Sequence, residues 1–245
     1  MSIQIDASPR FVARMTGALF LITILAGIFA QGFVSERLIV FNNAATTATN
    51  ILTNKGLYQL GFTVYLIEMG CQVTMAGLFY QILKPVNRTV ALVSLLLELT
   101  GCIIKIFARV FFIAPLYVLG GTSAGGTLVL QGFTTEQLQS IALLLLRVND
   151  QGAALALAFF GFATVFQGYL IFRSTFLPRW LGVLSMTAGF GWLTFLYPPL
   201  GYRAFPFIAL IGLAGAAAII FWLLVFGVNE QRWREKAARK DNNEP

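Results

Sequence analysis

The feature that most constrains this chain is a train of six apolar runs, parted only by short polar or turn-forming breaks. The runs cover residues 11–33, 57–83, 89–117, 138–172, 180–197 and 206–226. A hydrocarbon core about 30 Å thick takes roughly 20 helical residues, so each run predicts one crossing, with five in all if the short fifth run is re-entrant. The predicted fold class is therefore an all-α integral membrane bundle of about six transmembrane helices. Residues 1–228 form one transmembrane helical domain and residues 229–245 a basic cytoplasmic tail. Charged residues make up 11% of the chain and hydrophobic ones 58%, against about 25% charged in a soluble domain. A water-soluble core cannot absorb that much apolar surface. The first run is also too long for a signal-peptide core of roughly 7–15 residues, so it is expected to be retained.

Orientation follows from the 17 Lys and Arg residues. With the N-terminus inside, Arg10, Arg14, Lys84, Arg88, Arg173, Arg179, Arg232, Arg234, Lys236, Arg239 and Lys240 are cytoplasmic. Only Arg37, Lys55 and Arg203 fall outside, while Lys105, Arg109 and Arg147 lie within the runs. This positive-inside bias places both termini in the cytoplasm. It also accounts for the net charge of +7, so no nucleic-acid partner is implied. The five bases of the tail are placed to touch anionic lipid, at about 1 kcal/mol each near the surface.

Several stretches resemble a known family. Arg37-Leu38-Ile39-Val40 with the Asn/Ala/Thr-rich segment to Leu52 is one, and Leu83-Lys84-Pro85-Val86-Asn87-Arg88 is another. The others are Gly168-Tyr169-Leu170-Ile171-Phe172-Arg173-Ser174 and Phe176-Leu177-Pro178-Arg179. In combination the chain is similar, over nearly its whole length, to the largely bacterial membrane family catalogued as domain of unknown function 4386. The resemblance implies a multi-pass protein of a bacterial cytoplasmic membrane. It implies no activity, substrate or catalytic residue.

The informative chemistry is the set of polar residues placed where they are expensive. Away from the cytoplasmic ends of the runs stand Glu68, Glu98, Lys105, Arg109, Arg147 and Asp150, three acids and three bases. A charge at the bilayer centre costs about 2.5–3.5 kcal/mol on insertion scales, so such residues face the bundle interior and find partners. Glu98, Cys102, Lys105 and Arg109 are spaced 4, 3 and 4 apart, which places them on one helical stripe. Gly61, Tyr65, Glu68 and Gln72 form a similar stripe, and Arg147, Asp150, Gln151 and Ala154 cluster on one side of the fourth run.

At about 1.5 Å per residue from the cytoplasmic bases, Glu68 and Lys105 are level, at roughly 24 and 26 Å. Arg109 and Asp150 are level further out, with Arg147 one turn beyond. These depths predict the pairs Glu68–Lys105 and Arg109–Asp150. Glu98 sits near the midplane, with Gln72 and Gln31 as candidate hydrogen-bond partners. Glu68, Glu98, Lys105, Arg109, Arg147, Asp150 and Gln72 would line a polar cavity that opens outward between the second, third and fourth spans. Equally, the charges would be structural pairs that fix helix register.

Other features carry bland readings beside sharper ones. Residues 42–54 read as a short amphipathic helix with an Asn cap, and residues 119–132 as a five-glycine loop; the two would cover a cavity as a lid or serve as plain surface segments. Thr134 to Gln137 fits a capping box that opens a long fourth helix. Ala209, Gly212, Gly215, Ala216 and Ala217 suit close packing within the bundle. Cys71 and Cys102 are read as buried small hydrophobes.

The chain has no histidine, which removes the commonest general base and metal ligand. Ser94 is too far along its own helix from Lys105 to form a Ser–Lys pair. No enzyme, metal or cofactor is expected. Partners are the lipid bilayer and, on one reading, a small solute or proton, with the oligomeric state left open. Two functions stay open: a small-solute or proton-linked transporter or sensor, and a non-catalytic membrane scaffold whose charges are structural.

Overall fold

Because backbone N–H and C=O groups find no partner in hydrocarbon, a spanning segment satisfies them internally as helix, and helices dominate this chain. The computed structural model describes residues 8–120 and 132–241, so most of the expected five-glycine loop lies outside the described residues. Among the described residues there are eight helices and no strand. They are α1 (Pro9–Leu38), α2 (Ala44–Thr53), α3 (Lys55–Leu83), α4 (Arg88–Val118), α5 (Thr135–Arg173), α6 (Arg179–Trp192), α7 (Pro198–Val225) and α8 (Glu230–Asp241). Within α1, Ile28–Ser35 winds as π-helix. A 3-10 turn, Leu193–Leu196, extends α6.

Helices α1, α3, α4, α5 and α7 are long and apolar enough to cross a membrane. The fifth run forms the 14-residue α6 with its 3-10 extension, together roughly 29 Å at the usual rises. The helix of the sixth apolar run, α7, starts earlier than the apolar pattern suggests. Pro198 and Pro199 occupy its first turn, and Pro206 lies inside it. The first helical turn needs no N–H donor, so prolines are tolerated there.

Local signals set the other ends. Thr134 and Gln137 bond reciprocally, at 2.8 and 3.3 Å, as a capping box. Asn43 Oδ1 accepts from the Thr46 N–H at 2.9 Å and caps α2, and Asn87 Oδ1 accepts from Val90 at the start of α4. Gly227, at φ +67°, closes α7 while its N–H reaches back to the Trp222 carbonyl.

The chain divides into two compact units. Unit 1 comprises residues 1–22, 71–102 and 155–245; unit 2 comprises residues 23–70 and 103–154. In unit 1 the core is built on Phe79, Ile82, Leu170, Leu181 and Leu223. There α5 and α6 meet backbone to backbone, since a Cβ on Gly182 would stand 2.5 Å from Phe172 N and one on Gly168 2.7 Å from Gly182 O. In unit 2 the core gathers Val34, Leu38, Ile51, Tyr58, Tyr65 and Phe112.

The helices are inverted relative to those of a soluble protein. On α4, Glu98 and Arg109 are buried while Ile103 and Phe107 are about two-thirds exposed, at 67% and 65%. That is the arrangement lipid as solvent requires, and the polar stripe read from the spacing faces protein.

Candidate functional site

In unit 2 charged side chains of α3 and α4 meet as their depth predicts. Lys105 Nζ donates to Glu68 Oε1 at 2.7 Å, with Glu68 5% exposed. A Cβ on Gly27 of α1 would stand 3.3 Å from that same oxygen, so the bare backbone of α1 leaves room for the carboxylate.

Arg109, 3% exposed, is held from two sides. Its Nη1 donates to Asn149 Oδ1 at 3.0 Å, and its guanidinium lies 3.6 Å from the centre of the Tyr65 ring. Guanidinium over an aromatic face is attractive, the more so away from water. Asp150, expected as the direct partner, is the neighbour of the residue that takes the hydrogen bond, and its charge also acts on Arg109. Arg147, one turn before Asp150, is exposed; it donates to the Phe41 carbonyl at 2.7 Å and lies 5.6 Å from the Phe41 ring centre.

Tyr65 organises this cluster. Its hydroxyl donates to Gln31 Oε1 at 2.7 Å and pairs with Ser35 Oγ at 3.1 Å, both from the π-helical stretch of α1. Its ring meets Phe112 edge-on at 5.3 Å, and Phe112 stacks on Tyr58 at 4.6 Å. The Tyr58 hydroxyl donates to the Phe112 carbonyl. Thus one aromatic face supports the cation while its hydroxyl is fixed by α1.

Two buried polar atoms in this cluster have no hydrogen-bond partner among the described residues: Glu68 Oε2 and Arg109 Nε. Buried polar atoms are nearly always satisfied, so each such exception calls for an explanation.

The remaining candidates, Gln72 and Glu98, belong to unit 1. Gln72 Nε2 donates to Glu98 Oε1 at 2.9 Å, with both side chains buried. Gln31, the other expected partner of Glu98, is bonded to Tyr65. Unit 1 also holds a cavity of about 10 Å³ beside Ser94 and Gln167, near the lower limit for one water.

Spacing and depth thus found Glu68, Lys105, Arg109 and the Gln72–Glu98 bond. They missed Asn149 and Ser35, because charged neighbours at the same depth, Asp150 for Arg109, looked the stronger partners and spacing alone does not fix which side chain turns inward. Tyr65 stood on the right stripe, but nothing in spacing announces a cation over its ring.

Searches of curated proteins and of solved structures each return no match. The family described as Domain of unknown function (DUF4386) matches residues 15–227, which includes every residue of the cluster, and this chain, a membrane protein by its long apolar helices, belongs to that family.

Proposed function

We propose that this protein is a small-solute or proton-linked transporter or sensor of the bacterial cytoplasmic membrane, working through the charged cluster of unit 2. One observation carries the reading: Glu68 and Arg109 are each tied down on one side by Lys105 and Asn149, yet each keeps a buried polar atom unsatisfied. A pair retained only for folding gains from having every lone pair and proton used. Spare acceptor and donor capacity on opposite charges suits a group that takes up and releases a proton or a small polar solute. The role is non-enzymatic, in keeping with the absence of histidine.

The membrane frame is six crossings with both termini cytoplasmic. The positive-inside tally supports it. So do contacts within unit 1, where Arg10 lies against Gly227 and the Asn229 N–H bonds the Phe176 carbonyl, so that the starts and ends of crossings meet. An even number of crossings accounts for these contacts, and on this reading α6 supplies the sixth.

The alternative is a non-catalytic scaffold whose charges fix helix register; the short Glu68–Lys105 bond favours it. The double variant Glu68→Gln/Lys105→Met separates the two, because it leaves no stranded charge. Reconstituted in liposomes with an entrapped pH-sensitive dye, the wild type should dissipate an imposed proton gradient, or a small solute should raise its Tm. The folded double variant should do neither. Wild type, double variant and protein-free liposomes behaving alike, with no solute shifting the wild-type Tm, would hand the case to the scaffold.

A further inference from the structure

At one end of unit 1, exposed aromatic rings and exposed arginines occur together. Trp180 at the start of α6 meets Trp222 of α7 edge-on at 6.2 Å, and Trp222 lies 4.5 Å from Phe226. Trp180 and Phe226 are 52% and 51% exposed. Arg179 precedes Trp180 in the chain, and the Arg10 side chain lies against Gly227, next to Phe226. Both arginines are exposed.

The helix α8 is fastened to this same end. Trp233 Nε1 donates to the Ile82 carbonyl at 2.9 Å, the Asn229 N–H to the Phe176 carbonyl at 3.3 Å, and Arg232 Nη1 to the Thr175 carbonyl at 3.2 Å. With Trp233 turned inward, Arg232 and Arg234 stay exposed on the two flanks of the helix. The acids of α8 with described side chains are Glu230, half-buried, and Glu235, which accepts from Gln231 at 3.1 Å.

Tryptophan rings mark the level where headgroups meet hydrocarbon. Guanidinium groups are suited to phosphate through their planar fork of donors. The coincidence of both at one level distinguishes a lipid from a soluble acidic partner, which would need no aromatic shelf. We infer that this end of unit 1 is a binding surface for anionic phospholipid: the Trp180–Trp222–Phe226 shelf receives the glycerol and upper acyl region, and Arg10, Arg179, Arg232 and Arg234 receive the phosphates. The inference depends on membrane insertion but not on what the unit 2 cluster does.

The test uses the full chain in nanodiscs of phosphatidylcholine with or without phosphatidylglycerol, read by Tm and by native mass spectrometry of retained lipid. The wild type should retain phosphatidylglycerol several-fold over phosphatidylcholine and show a Tm increase that 0.5 M NaCl removes, as screening of surface charge demands. Changing Arg10, Arg179, Arg232 and Arg234 together to Gln should abolish the preference, changing the same four to Lys should keep most of it, and Arg203→Gln should leave it intact. No preference in the wild type, or a preference kept by the folded four-Gln variant, overturns the inference. Stabilisation by poly-glutamate but not by phosphatidylglycerol overturns it too, in favour of an acidic protein partner.

Discussion

Tyr65 carries two loads at once, and two substitutions can separate them. Its hydroxyl is shared with Gln31 and Ser35, and its ring lies beneath Arg109. Tyr65→Phe keeps the ring and loses the hydroxyl, leaving Gln31 and Ser35 short of a partner; the expected cost is about 1–3 kcal/mol. Tyr65→Leu also removes the face on which Arg109 rests and should cost more. Thermal unfolding of the purified protein checks the order, and a Leu variant no worse than the Phe variant would remove the cation–ring contact from the account. The ion pair has a sharper signature. Lys105→Met strands the buried Glu68, at about 3–5 kcal/mol, and Glu68→Gln strands the partly buried Lys105 at a smaller cost, whereas the double change should recover most of either loss. Additive losses in the double-mutant cycle would mean that the two charges do not depend on each other.

Among the elements, the α5–α6 contact is the most exacting. At Gly168 and Gly182 the missing Cβ is what lets the two backbones touch, a mode of packing suited to lipid, where apolar side chains gain little by leaving the solvent. Gly182→Ala should therefore force the helices apart and lower Tm sharply, while Gly70→Ala, where an added Cβ meets nothing within 4 Å, should be nearly silent or stabilising. Equal effects at the two sites would contradict the close approach. The π-helical stretch of α1 is the other distinctive element. Such segments are rare inside helices and frequent at functional sites, and here Ile28–Ser35 supplies both partners of the Tyr65 hydroxyl. By contrast, the box at Thr134 and Gln137 is ordinary local chemistry, and Thr134→Ala should cost about 1 kcal/mol.

At the scale of the molecule the testable statement is topological. In a background lacking Cys71 and Cys102, cysteines at Ser8 and Asn229 should react with an impermeant maleimide from the same side of the membrane, and one at Thr49 from the opposite side. Labelling of Ser8 and Asn229 from opposite sides would make the number of crossings odd. Composition and periodicity by themselves determined that this is an all-α membrane protein, and the middle of each long helix though not the start of α7, because backbone hydrogen bonds unmet in lipid and a 3.6-residue repeat leave few other solutions. They also placed Glu68 level with Lys105, since helical rise converts residue number into depth. Only the tertiary structure decided that Arg109 rests on Tyr65 and Asn149, that α1 turns π-helical to hold the Tyr65 hydroxyl, and that glycines join α5 to α6. Those facts depend on the rotation of each helix about its own axis and on which helices are neighbours. A one-dimensional pattern fixes how deep a residue lies and which face it shares; the partner across that face is set by packing between segments far apart in the chain.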